Sequence, residues 1–486
     1  MPAQAASRHL FLAATAAFTL IACSSGGSGS STAESLNSCP HEGPEGHFSL
    51  PSDVSTLQDA CEAYDQIDGI NRAAIALSGD PNQGRMCEDL HQYGLFDPNP
   101  GEGFDLGDPR RPLVVEGEYQ GLPYVLNTAL FSDYTAKHRV VFLPEDENGD
   151  TIPARYCDSD VSLDGEPGTG DLTRANNNIA FPVGTVIAKT FTYPNISSGT
   201  PTERIIETRL LIKHTNTNDG SERWEGIAYV WEQDEETNEW IARLDPLGFG
   251  DLEEAREWQY PDPNDPNLTI SGNVDEGYDD RYRIPSRQNC LECHRNADQD
   301  AGAAPIGLKA RFLNRPYASE FGEFTDDPAD LIDRNQIDYW NEHGWLSDLP
   351  QGFMVYGEQL ANVERVTPYN VPADDSNPEA DLGARARGYL EINCAHCHNE
   401  VRGSVADFHI EFQRAFCSQN FFDQGNIVAG DAEGSELYKR INTPGDEQVN
   451  EGAGNPMPRL ARHLIHAEGV AVIGAWIDNM ATDICD

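Results

Sequence analysis

Residues 381–398 read DLGARARGYLEINCAHCH, and the last five, Cys394 to His398, form a CxxCH motif. The same pattern stands at residues 290–294, Cys290-Leu291-Glu292-Cys293-His294. Two thiols three positions apart can reach the two vinyl groups of one porphyrin. The adjacent histidine then lies under the ring and ligates iron. This is the c-type haem attachment pattern. Each motif therefore predicts one covalent haem c, two in all. Cys290, Cys293, Cys394 and Cys397 are the expected tethers, and His294 and His398 the proximal iron ligands. Two rival chemistries use the same residues. Cys394-Ala395-His396-Cys397 has the form of a disulfide-isomerase redox site. That site follows a strand and usually a Trp, whereas Asp381 to Asn393 has helical spacing and no Trp. A single zinc on four thiolates is opposed by the 104 residues between the pairs and by the extra histidine in each.

The surroundings of the second motif set the fold expectation. Asp381 can cap a helix through Leu382, Arg385, Arg387 and Tyr389 to Ile392, running straight into Cys394. Near the C-terminus, Ile473, Trp476, Ile477 and Met480 follow the i, i+3, i+4, i+7 spacing of a buried helix face. Between them, Met457 is flanked by Pro456 and Pro458, 59 residues after His398. A helix before CxxCH, a methionine loop and a closing helix make a class I cytochrome c pattern, with Met457 as distal iron ligand. The first motif is less regular. Pro285 precedes it, so no helix leads in. A short helix is expected up to Leu313, and a longer one from Asp327 and Pro328 to His343. Met354, 60 residues after His294, is its distal candidate. His343, His138, His214 and an open iron position compete with it.

Upstream, from about Leu113 to Ile241, polar and apolar residues alternate. Val140–Leu143, Val186–Tyr193, Arg204–Lys213, Trp224–Trp231 and Trp240–Ala242 read as strands. Asn218-Asp219-Gly220 and Glu235 to Asn238 read as hairpin turns. Tyr260 to Asp280, rich in Pro and Asp, reads as a linker. The acidic run Glu145 to Asp150 reads as a solvated turn rather than a calcium loop, because the full ligand spacing is missing. The expected fold class is multidomain: a β-rich N-terminal domain followed by two mainly α cytochrome c-like haem domains. The boundaries are 1–22 signal peptide, 23–41 tether, 42–275 β-rich domain with a short helical part near Ser55 to Asp65, 276–375 first haem domain and 376–486 second haem domain.

The N-terminus reads as an address. Leu10 to Ala22 is an apolar run of signal-peptide length, too short to span a bilayer as a helix. It ends Leu20-Ile21-Ala22-Cys23, which resembles the bacterial lipobox, so Cys23 is the expected lipidation site. Ser24 to Ser38 then forms a Ser/Gly-rich flexible tether. A Ser rather than an Asp at position 24 favours the periplasmic side of the outer membrane. Six cysteines lie outside Cys23 and the two motifs: 39, 61, 87, 157, 417 and 485. An exported chain would pair them, with Cys61–Cys87 and Cys417–Cys485 the nearest choices. The chain has 33 Lys+Arg against 81 Asp+Glu, a net charge of −48. That excludes phosphate neutralisation on nucleic acid, opposes docking on anionic lipid, and favours a basic partner wherever charge holds one.

Several stretches resemble a bacterial family of exported dihaem c-type cytochromes with a β-rich N-terminal region. They are Tyr93-Gly94-Leu95-Phe96, Pro123 to Tyr134 with its Leu130-Phe131-Ser132-Asp133-Tyr134 string, Phe181 to Thr185, Glu207 to Leu210, Pro305-Ile306-Gly307 and Asn393 to His398. The resemblance covers about residues 90 to 482. It implies the haem assignment and the domain order, and supplies no substrate. Phe181 to Phe191 also faintly resembles the β-rich cytochrome P460 fold. No Gly-rich phosphate loop, GxSxG or HExxH occurs. The functional expectation is a lipid-anchored dihaem cytochrome passing electrons between periplasmic redox proteins. The alternatives are a dihaem enzyme, peroxidase-like or substrate-oxidising, and a cytochrome subunit of a periplasmic dehydrogenase.

Overall fold

The computed structural model describes residues 54–482 apart from 68, 80–85, 117, 158–177, 196–201, 216–219, 245–258, 263–264, 272–283, 286–289, 291–292, 295–304, 318–333, 350–364, 370–377, 400–407, 413–416, 418–420, 423–424, 445–455, 460–461 and 463. Cys23, the tether, Met354, Asp327, Cys39 and Cys485 lie outside the described residues. No helix among the described residues is long and apolar enough to cross a membrane.

The middle of the chain is a six-stranded antiparallel sheet in the order β10-β9-β8-β7-β4-β3. Its strands are β3 (Leu122–Pro123), β4 (Ala136–Phe142), β7 (Val186–Asn195), β8 (Thr202–Thr215), β9 (Glu222–Gln233) and β10 (Trp240–Leu244). In β9 the buried run Ile227 to Trp231 is continuously apolar because both faces of the sheet are covered. On one face Phe142, Ala188, Leu210, Ile212, Tyr229 and Trp231 pack against two short N-terminal helices, Leu57–Glu62 and Arg72–Leu77. The Cys61–Cys87 disulfide pins that layer, as expected. On the other face Leu122, Val141 and Ile187 share a core with Leu308, Phe312, Trp340 and Ile392, residues that follow the first motif or lead into the second.

The two mainly α cytochrome domains expected from the sequence are not found. The described residues hold thirteen strands against seven α-helices, of which three reach seven residues. The helices after the first motif, Ala310–Leu313 and Gln336–Glu342, are too short to wall a cofactor by themselves. They lie on the sheet instead. Gln336 accepts the Val125 N–H and donates to the Val125 carbonyl, Asn127 N–H donates to the Phe312 carbonyl, and β13 (Leu346–Ser347) pairs in parallel with β5 (Ala154–Cys157). β5 also pairs with β6 (Asn178–Ala180), which gives a three-stranded sheet. β11 (Gln259–Asp262) and β12 (Asp265–Ser271) form a hairpin within the stretch expected to be a linker.

Around the second motif the local expectations hold better. The Pro378–Leu390 helix runs into a π-helical turn at Glu391–Ala395 that delivers Cys394. Asp381 lies inside the helix rather than at its cap, paired with Arg385 at 3.0 Å. The Ala467–Asp478 helix closes on it: Trp476 lies 3.6 Å from where a Cβ on Gly383 would stand, and Ile473 and Ile477 are fully buried.

Candidate functional site

The two motifs, a hundred residues apart in sequence, meet in space. The ligand atoms of Cys293, His396 and Cys397 all lie within 4.8 Å of one another. Cys290, Cys293, Cys394 and Cys397 take part in no disulfide among the described residues, although the chain forms disulfides at Cys61–Cys87 and at Cys417. The partner of Cys417 lies outside the described residues.

A buried brace holds the motifs in this relation. Glu391, in the turn before Cys394, pairs with Lys309 at 2.8 Å and with the fully buried Arg311 at 3.0 Å, both on the segment after the first motif. Burial pushes the Glu391 carboxyl up, but the Arg311 and Lys309 charges outweigh it and hold the group ionised below its ordinary range. Gly307 seals the same seam. It has φ +87°, and a Cβ there would stand 2.8 Å from Leu126 Cδ1 and 2.9 Å from Ile392 Cδ1. The Leu130 to Tyr134 string is the second clamp. Phe131 N–H donates to Asn393 Oδ1 at 2.8 Å, and Leu464 N–H to Asp133 Oδ1 at 2.9 Å. Tyr134 Oη accepts the Ala467 N–H and donates to Glu468. Asp133 and Tyr134 are both left-handed, at φ 48° and 59°, a conformation that costs energy in non-glycine residues and aims these side chains at the C-terminal segment.

Beside the first motif is a partly open cleft. Cys290 and His294 line one side, and Ile187, Lys189, Arg209 and Leu211 of the sheet the other. At the second motif, burial pushes the Cys394 thiol up to about 12, with the Cys397 charge adding to it. Burial likewise lowers His398, so its imidazole stays neutral, the form that binds metal. His398 Nδ1 is buried and has no well-aligned hydrogen-bond partner among the described residues, although the Phe408 backbone acts on the ring. Next to this motif His466 stacks on Phe131 at 4.2 Å and contacts Tyr389 Oη at 3.1 Å. Burial and the charges of Lys137 and Arg462 push it down to about 3.

The distal candidates divide. Met457 is half-buried, and its N–H donates to the Arg440 carbonyl at 3.1 Å. Arg440 is one of the charges that act on His398, so the methionine loop lies on the side of the second motif. Of the histidine alternatives, His138 is paired with Glu203 at 2.6 Å, His214 packs against Gly79, and His343 is exposed at a helix end against Tyr339. None of the three lines the cleft. The sequence reading missed the basic residues that do line it. Lys189 and Arg209 stand at alternating positions of strands it had recognised, but their facing is visible only once the register is known.

The donor set suits a c-type haem at each motif: a pair of thiols outside any disulfide with a histidine next to them, largely buried at the second motif, and a mixed apolar and basic cleft beside the first. Compared with known protein families, curated proteins and solved structures, the chain matches none.

Proposed function

We propose that the chain is a dihaem c-type cytochrome that transfers electrons between extracytoplasmic redox partners. One haem is tethered by Cys290 and Cys293 with His294 below it, the other by Cys394 and Cys397 with His398. Bound haem supplies an iron that cycles by one electron. The chain's residues would do the rest: the four thiols would tether the two groups, the two histidines would hold the irons, and Met457 would supply a further ligand at the second site. The observation that carries the reading is the meeting of Cys293 and Cys397. Haem held at both motifs would be tethered through these neighbouring sulfurs, and one-electron transfer between the two sites would cross the short gap between them. Glu391, Lys309 and Arg311 keep that gap fixed. Cys23 anchors the mature chain to the periplasmic side of the outer membrane, and the charge of −48 selects basic partners whose docking weakens as salt rises.

The same cluster favours a second reading, a metal centre held by Cys293, His396 and Cys397, because two thiolates and an imidazole suit zinc or copper. Acid–acetone extraction followed by a pyridine haemochrome assay separates the two. The haem reading expects two haems left on the polypeptide, and one after Cys394 and Cys397 are both replaced by Ser. No covalent haem, with one equivalent of zinc or copper, would establish the metal centre instead.

A further inference from the structure

Three basic side chains cross the middle of the sheet in register. Arg139 of β4 faces Lys189 of β7, and Lys189 faces Arg209 of β8, so all three leave the sheet on the side of Cys290 and His294. Like charges set directly opposite on neighbouring strands repel. Arg209 is compensated: Glu207 pairs with it at 2.5 Å, and it lies 4.1 Å over the Phe191 ring. The other two have no carboxylate within ion-pair distance among the described residues. Arg139 is 5% exposed, donates from Nη1 to the Lys137 carbonyl at 3.3 Å, and leaves its Nε without a partner. No carboxylate among the described residues pairs with it. Lys189 lines the cleft, and its side chain makes no ion pair or hydrogen bond among the described residues; burial, Arg139 and Arg209 push its ammonium down to about 7 against the opposing Glu207 and Cys290 charges. Buried cations without counter-charge are expensive, and in a chain of net charge −48 carboxylates to pair with them were abundant.

The next row of the same face is apolar. Ile187, Leu211 and Gly226 stand in register. Gly226 carries no side chain where a Cβ would come within 2.9 Å of Leu211 Cδ2, which keeps this part of the wall low. The face thus offers an apolar platform beside a cationic edge. A flat apolar ligand bearing carboxylates on one side matches it.

We propose that Arg139, Lys189 and Arg209 form a carboxylate cradle that receives the acid arms of the tetrapyrrole tethered at Cys290 and Cys293. The tetrapyrrole source rests on the haem reading above. The same chemistry in a ligand-free cleft would hold a small free dicarboxylate, which is the other source of the anion.

The test uses the full-length haem-loaded protein and the variants Arg139→Gln, Lys189→Gln and their double, with Lys189→Arg as the charge-keeping control. Haem content is read by pyridine haemochrome, reduction potentials by redox titration, and sodium succinate binding by calorimetry. With two haems retained, the neutral variants should lower the potential of one haem and leave the other in place, because lost positive charge favours the ferric state. Lys189→Arg should restore the wild-type value, and succinate should not bind. Saturable succinate binding by the wild type, lost in the double variant, would keep the cradle and assign it to a free dicarboxylate. Unchanged potentials in all variants together with no succinate binding would overturn it. A protein without haem would defeat the haem reading alone, and succinate binding would then decide the cradle by itself.

Discussion

Glu391→Gln tests the brace between the motifs. The substitution keeps the side-chain volume and removes the charge that compensates Lys309 at 2.8 Å and Arg311 at 3.0 Å. Arg311 is fully buried, and the Glu391 side chain is 3% exposed, so neither can turn to water. Breaking a buried pair from one side costs about 3–5 kcal/mol. The Lys309 side chain is 23% exposed and recovers some hydration, which places the expected loss at the lower end, about 3 kcal/mol, or roughly 150-fold in the ratio of folded to unfolded chains. Urea unfolding followed by far-ultraviolet circular dichroism measures it. The pH dependence has a defined sign. Glu391 is held ionised below its ordinary range, so its contribution is present above the unfolded carboxylate pKa and is lost as pH falls through the folded one. The gap between wild type and Glu391→Gln should therefore narrow toward acid. A neutral-pH difference below about 1 kcal/mol, or a gap that stays constant in acid, would refute the brace.

Three further outcomes follow from single contacts. Gly307→Ala should destabilise by about 1–3 kcal/mol in the same assay, because the residue has φ +87° and its new methyl would press on Leu126 and Ile392. Replacing Cys61 and Cys87 together with Ser should cost about 3.5 kcal/mol, from the closure entropy of a loop whose ends stand 26 positions apart. Met457→His should lower the potential of one haem, since imidazole donates more strongly to ferric iron than a thioether does, and an unchanged pair of potentials would remove Met457 from the ligand set.

The large strands were legible because their signal is local. Alternation and β-branched runs placed β7, β8, β9 and β10 within two residues of their observed limits and found only the second half of β4. The helix leading into Cys394 and the closing helix were legible for the same reason. What the sequence hid was partnership. Glu391 and Arg311 are 80 residues apart, and nothing in either segment marks the other. The first motif was given a helical domain of its own because short helical patterns follow it, whereas those helices complete a core that the sheet had begun. β5, β6 and β13 are two to four residues long, too brief for periodicity to register. Lys189 falls inside a strand the sequence indicated and Arg139 just before another, and nothing in either segment marks which way they face. Only the pairing register shows that this face is the wall of the cleft.

Electron paramagnetic resonance of the oxidised, haem-loaded protein tests the central claim most directly, measured beside two single-haem variants, Cys290→Ser with Cys293→Ser and Cys394→Ser with Cys397→Ser. If both motifs carry haem and meet at Cys293 and Cys397, the wild-type spectrum should show magnetic coupling and differ from the sum of the two variant spectra. A wild-type spectrum equal to that sum, or one with no haem signal, would contradict the account.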